Sequence, residues 1–197
     1  VINSLKKMNC KGLNITIPFK EKIFDLCDEI SPVAKKVQAI NTLKLNEKKE
    51  WSATNTDIYG FIYPLITHNL NYSNAVVLGS GGASKSVIQG LIDLKVSKIT
   101  AISRNKSSLF ALTKNFVSQK TIKSFLSHET EVKKVIKEAD LIINTTPVGM
   151  KNTKNEDQLP FGQEFCNEIQ NNTTVYDLIY NPAPTAFLKF CDKKGCF

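Results

Sequence analysis

The chain has 197 residues, 42% of them hydrophobic and 22% charged, with a formal net charge of +8. That is the composition of a folded protein with room for one large or two small domains, without repeats or low-complexity tracts. No apolar run reaches the ~18 residues that a membrane-spanning helix needs.

The positive charge is spread along the chain as lysines, and no basic block or arginine-rich arm gathers it. A solvated lysine-rich surface accounts for this, with attraction of an anionic ligand as the functional alternative. No nucleic-acid partner is expected. The five cysteines (Cys10, Cys27, Cys166, Cys191 and Cys196) are odd in number and contain no CxxC pair. They read as reduced thiols, the state maintained in a cytoplasmic setting. With only His68 and His128, far apart in the chain, neither a metal site nor a Cys–His nucleophile is expected.

In chain order, NITI (14–17) reads as a strand halted by Pro18. KEKIFDLCDEI (20–30) reads as a helix with Ile23, Leu26, Cys27 and Ile30 on one face. SPVAKKV (31–37) has Ser31 as N-cap and Pro32 at the first helical position. NTLKLN (41–46) and EWSATN (50–55) are two short strands around a polar turn. DIYGFIYPLITHN (57–69) is a helix whose regularity Gly60 and Pro64 put in question.

The second half alternates more regularly. Strands are expected at 75–79, 98–103, 121–126, 140–146 and 174–180. Helices are expected at 83–94 (with Val87, Leu91 and Leu94 on one face), 106–116, 131–139, 161–169 and in the segment 181–195. Such alternation predicts a parallel sheet with right-handed crossovers. The fold class is α/β. A small α/β substrate lobe (1–56) is followed by a connecting helix (57–72) and a Rossmann-like doubly wound domain (73–197).

Three features carry chemistry. GSGGAS (79–84) sits between a strand and a helix, where glycines let the backbone approach a pyrophosphate at a helix N-terminus. Its last position is Ser84 where the fingerprint has glycine. About 20 residues on, SRN (103–105) occupies the place where NAD-binding proteins put an acid for the ribose 2′-hydroxyl. Arg104 is the single arginine among 26 basic residues. A guanidinium offers planar paired donors to a 2′-phosphate and can stack on adenine, which a lysine cannot do. That predicts NADP (NADPH) over NAD. In the first lobe, Lys20 and Asp57 are each open to a bland reading, as a surface lysine and a helix N-cap.

Taken as a set, GLNITIPFK (12–20), NTL (41–43), NTD (55–57), GSGGAS, INTTPVGM (143–150) and YDLIYNPAPTAFL (176–188) closely resemble the shikimate dehydrogenase family, in order and spacing, along nearly the whole chain. The resemblance implies reversible, NADPH-dependent reduction of 3-dehydroshikimate to shikimate in aromatic amino-acid biosynthesis. It implies that Lys20 and Asp57 are the catalytic pair, and that Thr16, Asn41, Asp57 and Tyr180 contact substrate. It implies a cofactor site made of Gly79, Ser80, Gly81, Gly82, Ala83, Ser103, Arg104, Asn105, Lys106, Ser108, Thr145 and Leu178. Ser108 is a departure, since some members carry a second arginine there. The partner is a small molecule, and the chain is a monomer or homodimer. Physically, hydride arriving at a ketone carbon leaves charge on oxygen, and an ammonium held by a carboxylate can supply the proton.

Family members also begin with a strand and helix bearing a Ser-x-Ser pair and end with a glutamine-bearing segment. Neither is found here, so the sequence reads as a piece of a longer product with weakened activity on its own. The alternatives are a quinate/shikimate dehydrogenase of broader range and a non-catalytic nucleotide-binding regulator.

Overall fold

The computed structural model describes residues 1–16, 18–119 and 121–197. Two sheets organise the chain. The first has strands β1 (Gly12–Asn14), β2 (Glu29–Ile30), β3 (Thr42–Leu45) and β4 (Trp51–Thr54), in the order β1-β3-β4-β2. β1, β3 and β4 run antiparallel, with β3 and β4 a hairpin, and β2 joins β4 in parallel. Helices α1 (Ile2–Lys7) and α2 (Pro32–Val37) belong to this lobe. Ser31 caps α2, its hydroxyl accepting from the Ala34 N–H at 3.3 Å, with Pro32 opening the helix as its fixed φ favours. Ile23, Ala34, Ile40, Leu43, Leu45, Trp51 and Ala53 form the lobe's core.

The second sheet is entirely parallel: β5 (Asn74–Leu78), β6 (Lys98–Ser103), β7 (Ile122–Leu126), β8 (Leu141–Asn144) and β9 (Thr174–Asp177), in the order β7-β6-β5-β8-β9. The chain starts this sheet at its centre, goes to one edge, and then returns to build the other side. The reversal leaves a crevice beyond the carboxyl ends of β5 and β8, where doubly wound sheets bind ligands. β5 is covered on both faces, which is why its sequence is continuously apolar rather than alternating. Ala75 and Val77 face one core with α3 (Asp57–Thr67), α4 (Gly82–Asp93) and α5 (Lys106–Lys114). Val76 and Leu78 face the other with α6 (Glu131–Lys137), α7 (Gln163–Asn167) and α8 (Ala186–Lys193). Among the described residues, no helix is long and apolar enough to cross a membrane.

Two expectations fail locally. Residues 20–30 are not a helix. They are a series of turns, one 3-10 turn at Phe24–Leu26 and then β2, and Leu26 is exposed. Pairing with β4 overrides the helical spacing, as tertiary contacts routinely do. Asp28 N–H donates to Trp51 O, Ser31 N–H donates to Ala53 O, and the Asp28 carboxylate accepts from Trp51 N–H at 2.7 Å. The strand expected at 14–17 instead covers Gly12–Asn14. Ile15 makes one further bond, its N–H to Asn41 O, and Ile17 lies outside the described residues. By contrast, α3 runs unbroken through Gly60 and Pro64. Gly60 lies on the solvent side, where a carbonyl can tilt towards water around the proline ring. Ile58, Phe61 and Leu65 anchor the opposite face.

α3 and α4 pack closely because α4 carries Gly90 at the crossing. A Cβ there would lie 2.7 Å from Ile62 Cγ2 and 2.9 Å from Phe61 Cδ1. In an open helix, glycine to alanine stabilises by up to ~1 kcal/mol. Here Gly90→Ala is expected to reverse that sign and destabilise by about 1–3 kcal/mol through overpacking. Urea denaturation of the variant against wild type measures it, and a raised midpoint would contradict this packing.

Candidate active site

Asn55, at the end of β4, sets the geometry where the lobes meet. It is buried, and its Oδ1 accepts from the N–H groups of Asp57 and Ile58, so it caps α3 in place of Thr56, whose side chain makes no capping bond. Its amide donates to Ala39 O (3.0 Å) and to Ser86 Oγ (3.1 Å) on α4. With that cap in place, Asp57 is the first residue of the helix, and its carboxylate is free to turn towards the cleft. Its Oδ2 accepts from Lys20 Nζ at 2.7 Å and its Oδ1 from Asn41 Nδ2 at 2.7 Å. Asn41 is itself fixed: its Nδ2 also donates to Thr56 Oγ1, and its Oδ1 accepts from Thr56 N–H and Thr42 Oγ1. The Lys20 carbonyl accepts from Ile40 N–H. Lys20 is thus held at both backbone and tip, with its side chain 16% exposed.

Across the cleft, the chain leaves β5 at Gly79 with φ +117°. A Cβ there would sit 2.5 Å from Thr145 Oγ1, so glycine is required on both conformational and steric grounds. Nothing lies within 4 Å of the Cβ position of Gly81, which leaves the cleft side of the turn open to a bulky anion beside the first N–H groups of α4. Thr145, just after β8, braces the turn. Its hydroxyl donates to Leu78 O at 2.6 Å and shares a hydrogen bond with Ser84 Oγ. Ser80 Oγ lies 2.8 Å from Ser103 Oγ and 2.6 Å from Ser108 Oγ, tying the glycine turn to the end of β6. Asn105 caps α5 by accepting from Ser108 N–H, and Arg104 is left exposed beside it.

A cleft of about 540 Å³ brings together Lys20, Gly79, Ser80, Gly81, Gly82, Ala83, Ser103, Arg104, Asn105, Ser108 and Thr145, with Glu21 and Phe161 also on its walls. Asp57 and Asn41 reach it through Lys20. Lys106 opens α5 and is exposed outside this lining. Leu178 and Tyr180 line a separate recess with Met150, and Tyr180 is 89% exposed. Thr16 is exposed at the end of the first-lobe strand. Burial pushes the Cys166 thiol up to about 12 and raises Cys27, Cys191 and Cys196 as well, which disfavours thiolate chemistry.

Sequence reasoning missed the Asn55 bridge, an ion pair between Glu21 and Lys85, and a buried network at the ends of β8 and β9. In that network Asn144 is fully buried. Its amide donates to Asp177 Oδ1, and its carbonyl oxygen accepts from Thr146 N–H and Oγ1. Asp177 also accepts from Ile179 N–H and Thr185 Oγ1, and so shapes the loops that carry Leu178 and Tyr180. Asn55 and Asp177 are short polar residues at strand ends, the one signal that could have drawn attention to them.

A parallel sheet of this order, with a glycine turn at its reversal point facing a lysine–carboxylate pair on a second lobe, is the architecture of a two-lobed nicotinamide-dependent oxidoreductase. Residues 1–43 match the family model described as "Shikimate dehydrogenase substrate binding domain", and residues 64–157 match "Shikimate / quinate 5-dehydrogenase". The shikimate dehydrogenase (NADP(+)) of Prochlorococcus marinus subsp. pastoris is 67% identical over 196 residues, covering 100% of this chain and 69% of that protein. Among solved structures, the shikimate dehydrogenase of Aquifex aeolicus superposes with a TM-score of 0.81 at 30% identity, covering 98% of this chain and 67% of that one. The quinate dehydrogenase of Corynebacterium glutamicum in complex with NAD superposes with a TM-score of 0.85 at 26% identity, covering 99% and 68%. The chain belongs to the shikimate dehydrogenase family.

Desolvation raises the Asp177 carboxyl above its ordinary value, against the lowering effect of its hydrogen bonds to Thr185, Ile179 and Asn144. A raised folded-state pKa means that the native state binds the proton more tightly than the unfolded chain does. This contribution to stability is fully present below the unfolded value and is lost as pH rises through the raised one. Relative to Asp177→Asn, wild type is therefore expected to gain stability as pH falls from 7 towards 4. Thermal denaturation across that range checks it, and a difference that does not change with pH would refute the assignment.

Proposed function

We propose that the chain catalyses the reversible, NADPH-dependent reduction of 3-dehydroshikimate to shikimate, in the pathway to aromatic amino acids. The observation that carries the reading is the Lys20–Asp57 pair, 2.7 Å apart, on the lip of the glycine turn. Residues 1–56 serve as the substrate lobe, 57–72 as the connector and 73–197 as the dinucleotide domain.

The residues of the cleft fit NADP. The open face at Gly81, the free N–H groups of Gly82 and Ala83, and the adjoining Ser80 offer a cradle for a pyrophosphate. Arg104, with Ser103 and Asn105 and no acid beside it, suits a 2′-phosphate. Ser108, where an arginine stands in some relatives, spends its hydroxyl on Ser80 and on Asn105 O, which leaves phosphate recognition to Arg104, with Lys106 adjacent. Thr145 and Leu178 complete the cofactor side. The nicotinamide, when bound, supplies hydride to the substrate carbon.

Lys20 donates a proton to the substrate oxygen during reduction and takes it back in oxidation, its ammonium also stabilising charge on that oxygen. Asp57 holds the Lys20 ammonium aimed, through the 2.7 Å contact. Two unit charges ~4 Å apart attract by roughly 4 kcal/mol at an effective dielectric of 20. Asn41 fixes the other oxygen of Asp57, so that the carboxylate cannot swing from Lys20. Thr16, Asn41 and Tyr180 contact the substrate, Tyr180 from the dinucleotide side. No metal is required by this chemistry. The five cysteines are free thiols, which suits the reducing cytoplasm, and the chain works as a monomer or homodimer on a small-molecule substrate.

Lys20→Ala is expected to lower kcat by about 10²–10⁴ while NADPH binding persists. Steady-state rates with fluorescence titration of NADPH measure both, and unchanged turnover would favour a nucleotide-binding regulator. Arg104→Ala is expected to lose about 1.5–3 kcal/mol of NADPH affinity, roughly 10- to 150-fold, with NADH little affected. An unaltered NADPH-to-NADH ratio would end that account of the arginine. Oxidation of shikimate against quinate, with each nicotinamide, distinguishes the broader-range alternative.

A further inference from the structure

Lys85 is out of place by every local criterion. It is the fourth residue of α4, in the first turn, where a positive charge opposes the helix dipole. Its side chain is only 7% exposed, and a well-packed apolar residue is generally at least as stable at such a site as a buried ion pair. Its Nζ lies 3.0 Å from Glu21 Oε2, on the opposite lobe. Glu21 directly follows Lys20 and lines the cleft, with Oε1 3.9 Å from the Cβ position of Gly82. The Cβ and Cδ of Lys20 lie 3.6 and 3.7 Å from that same point. The turn bearing Lys20 therefore rests on the first residue of the helix whose N-terminus faces the cleft.

The bonds from Ile40 and Asp57 fix Lys20 only relative to its own lobe and the start of α3. Among the described residues, two other polar links join the lobes. Lys36–Asp93 is 3.5 Å long with both side chains about half exposed, a pair that contributes little. Asn55–Ser86 lies behind the cleft, at the root of α3. Glu21–Lys85 is the charged link at its mouth.

We propose that Glu21 and Lys85 are a positioning pair, which clamps the Lys20 turn onto the glycine-loop helix and so sets the separation between the acid/base ammonium and the bound dinucleotide. The inference rests on the dehydrogenase reading above. Neither residue touches the reacting atoms. Their effect is geometric: a misplacement of the order of 1 Å between reacting groups can cost about 10²-fold in rate.

The test uses Glu21→Gln, Lys85→Met, their combination, and Lys85→Arg, with two readouts. In steady-state shikimate oxidation, each single variant is expected to lower kcat by about 10- to 100-fold with KM for NADP preserved, the double variant matching the singles and Lys85→Arg restoring the rate. The second readout does not need turnover. Trp51 is the single tryptophan and sits in the first-lobe core, so energy transfer from it to bound NADPH reports the spacing of the lobes. Transfer at saturating NADPH is expected to change in Glu21→Gln and Lys85→Met and to return in Lys85→Arg. Glu21 is half exposed, so Glu21→Gln keeps the test open should Lys85→Met fail to fold. Unchanged transfer in Glu21→Gln overturns the proposal. So does a loss of NADP affinity with kcat kept, which would make Lys85 a cofactor-binding charge. Inactive wild-type protein whose energy transfer still responds as expected would refute the dehydrogenase reading and leave the clamp standing.

Discussion

The site depends on a carboxylate that is held from two sides. Asp57 has one oxygen on Lys20 and the other on Asn41, and each of those donors is fixed by a backbone bond or a second side chain. A surface ion pair between a lysine and an aspartate contributes little, because both side chains must give up rotamer freedom to meet. Here most of that ordering is already imposed. Asn55 starts α3 so that Asp57 emerges from its first turn, and the β3–β4 hairpin brings Asn41 alongside. The pair is pre-set by the fold rather than formed at the moment of use, which is what electrostatic stabilisation of a developing charge requires.

The second lobe has a complementary feature, a glycine turn whose cleft side has no side chain in the way at Gly81. Gly79 turns the backbone where only glycine fits, and the hydroxyls of Ser80, Ser84, Ser103, Ser108 and Thr145 bond to one another and to backbone around it. A hydroxyl can both donate and accept, so these groups satisfy one another at the ends of three strands without introducing charge. Charge on the cleft lining comes from outside that cluster, from Lys20, Glu21 and Lys22 on the first lobe and from Arg104 after β6.

The parallel sheet was the most legible part of the sequence, because each strand is a short apolar, β-branched run bounded by turns and each helix has a clear stripe. KITAIS (98–103) matches β6 residue for residue. The first lobe was harder to read. Residues 20–30 have helical spacing, yet their backbone bonds go to β4, and no local pattern encodes a partner more than 20 positions away. The site divides along the same line. The glycine turn and Arg104 could be read locally, since each has a physical reason at a fixed distance from a strand. Lys20 and Asp57 could be paired only through the family pattern, since 37 positions separate them. Asn55, Asp177 and the Glu21–Lys85 pair gave no such signal, because their importance lies in burial and in partners contributed by other elements.

From Ser84 to Leu91, eight consecutive residues of α4 are buried, because the sheet covers one side of the helix and α3 with the first lobe covers the other. Such a helix cannot be exchanged as a cofactor cassette. A glycine loop grafted from another dehydrogenase, if it brought its own helix, would replace Lys85, Ser86 and Gly90, the residues that meet Glu21, Asn55 and α3. A redesign of nicotinamide preference in this scaffold therefore has to stop at the loop after β6 and leave the helix after β5 untouched.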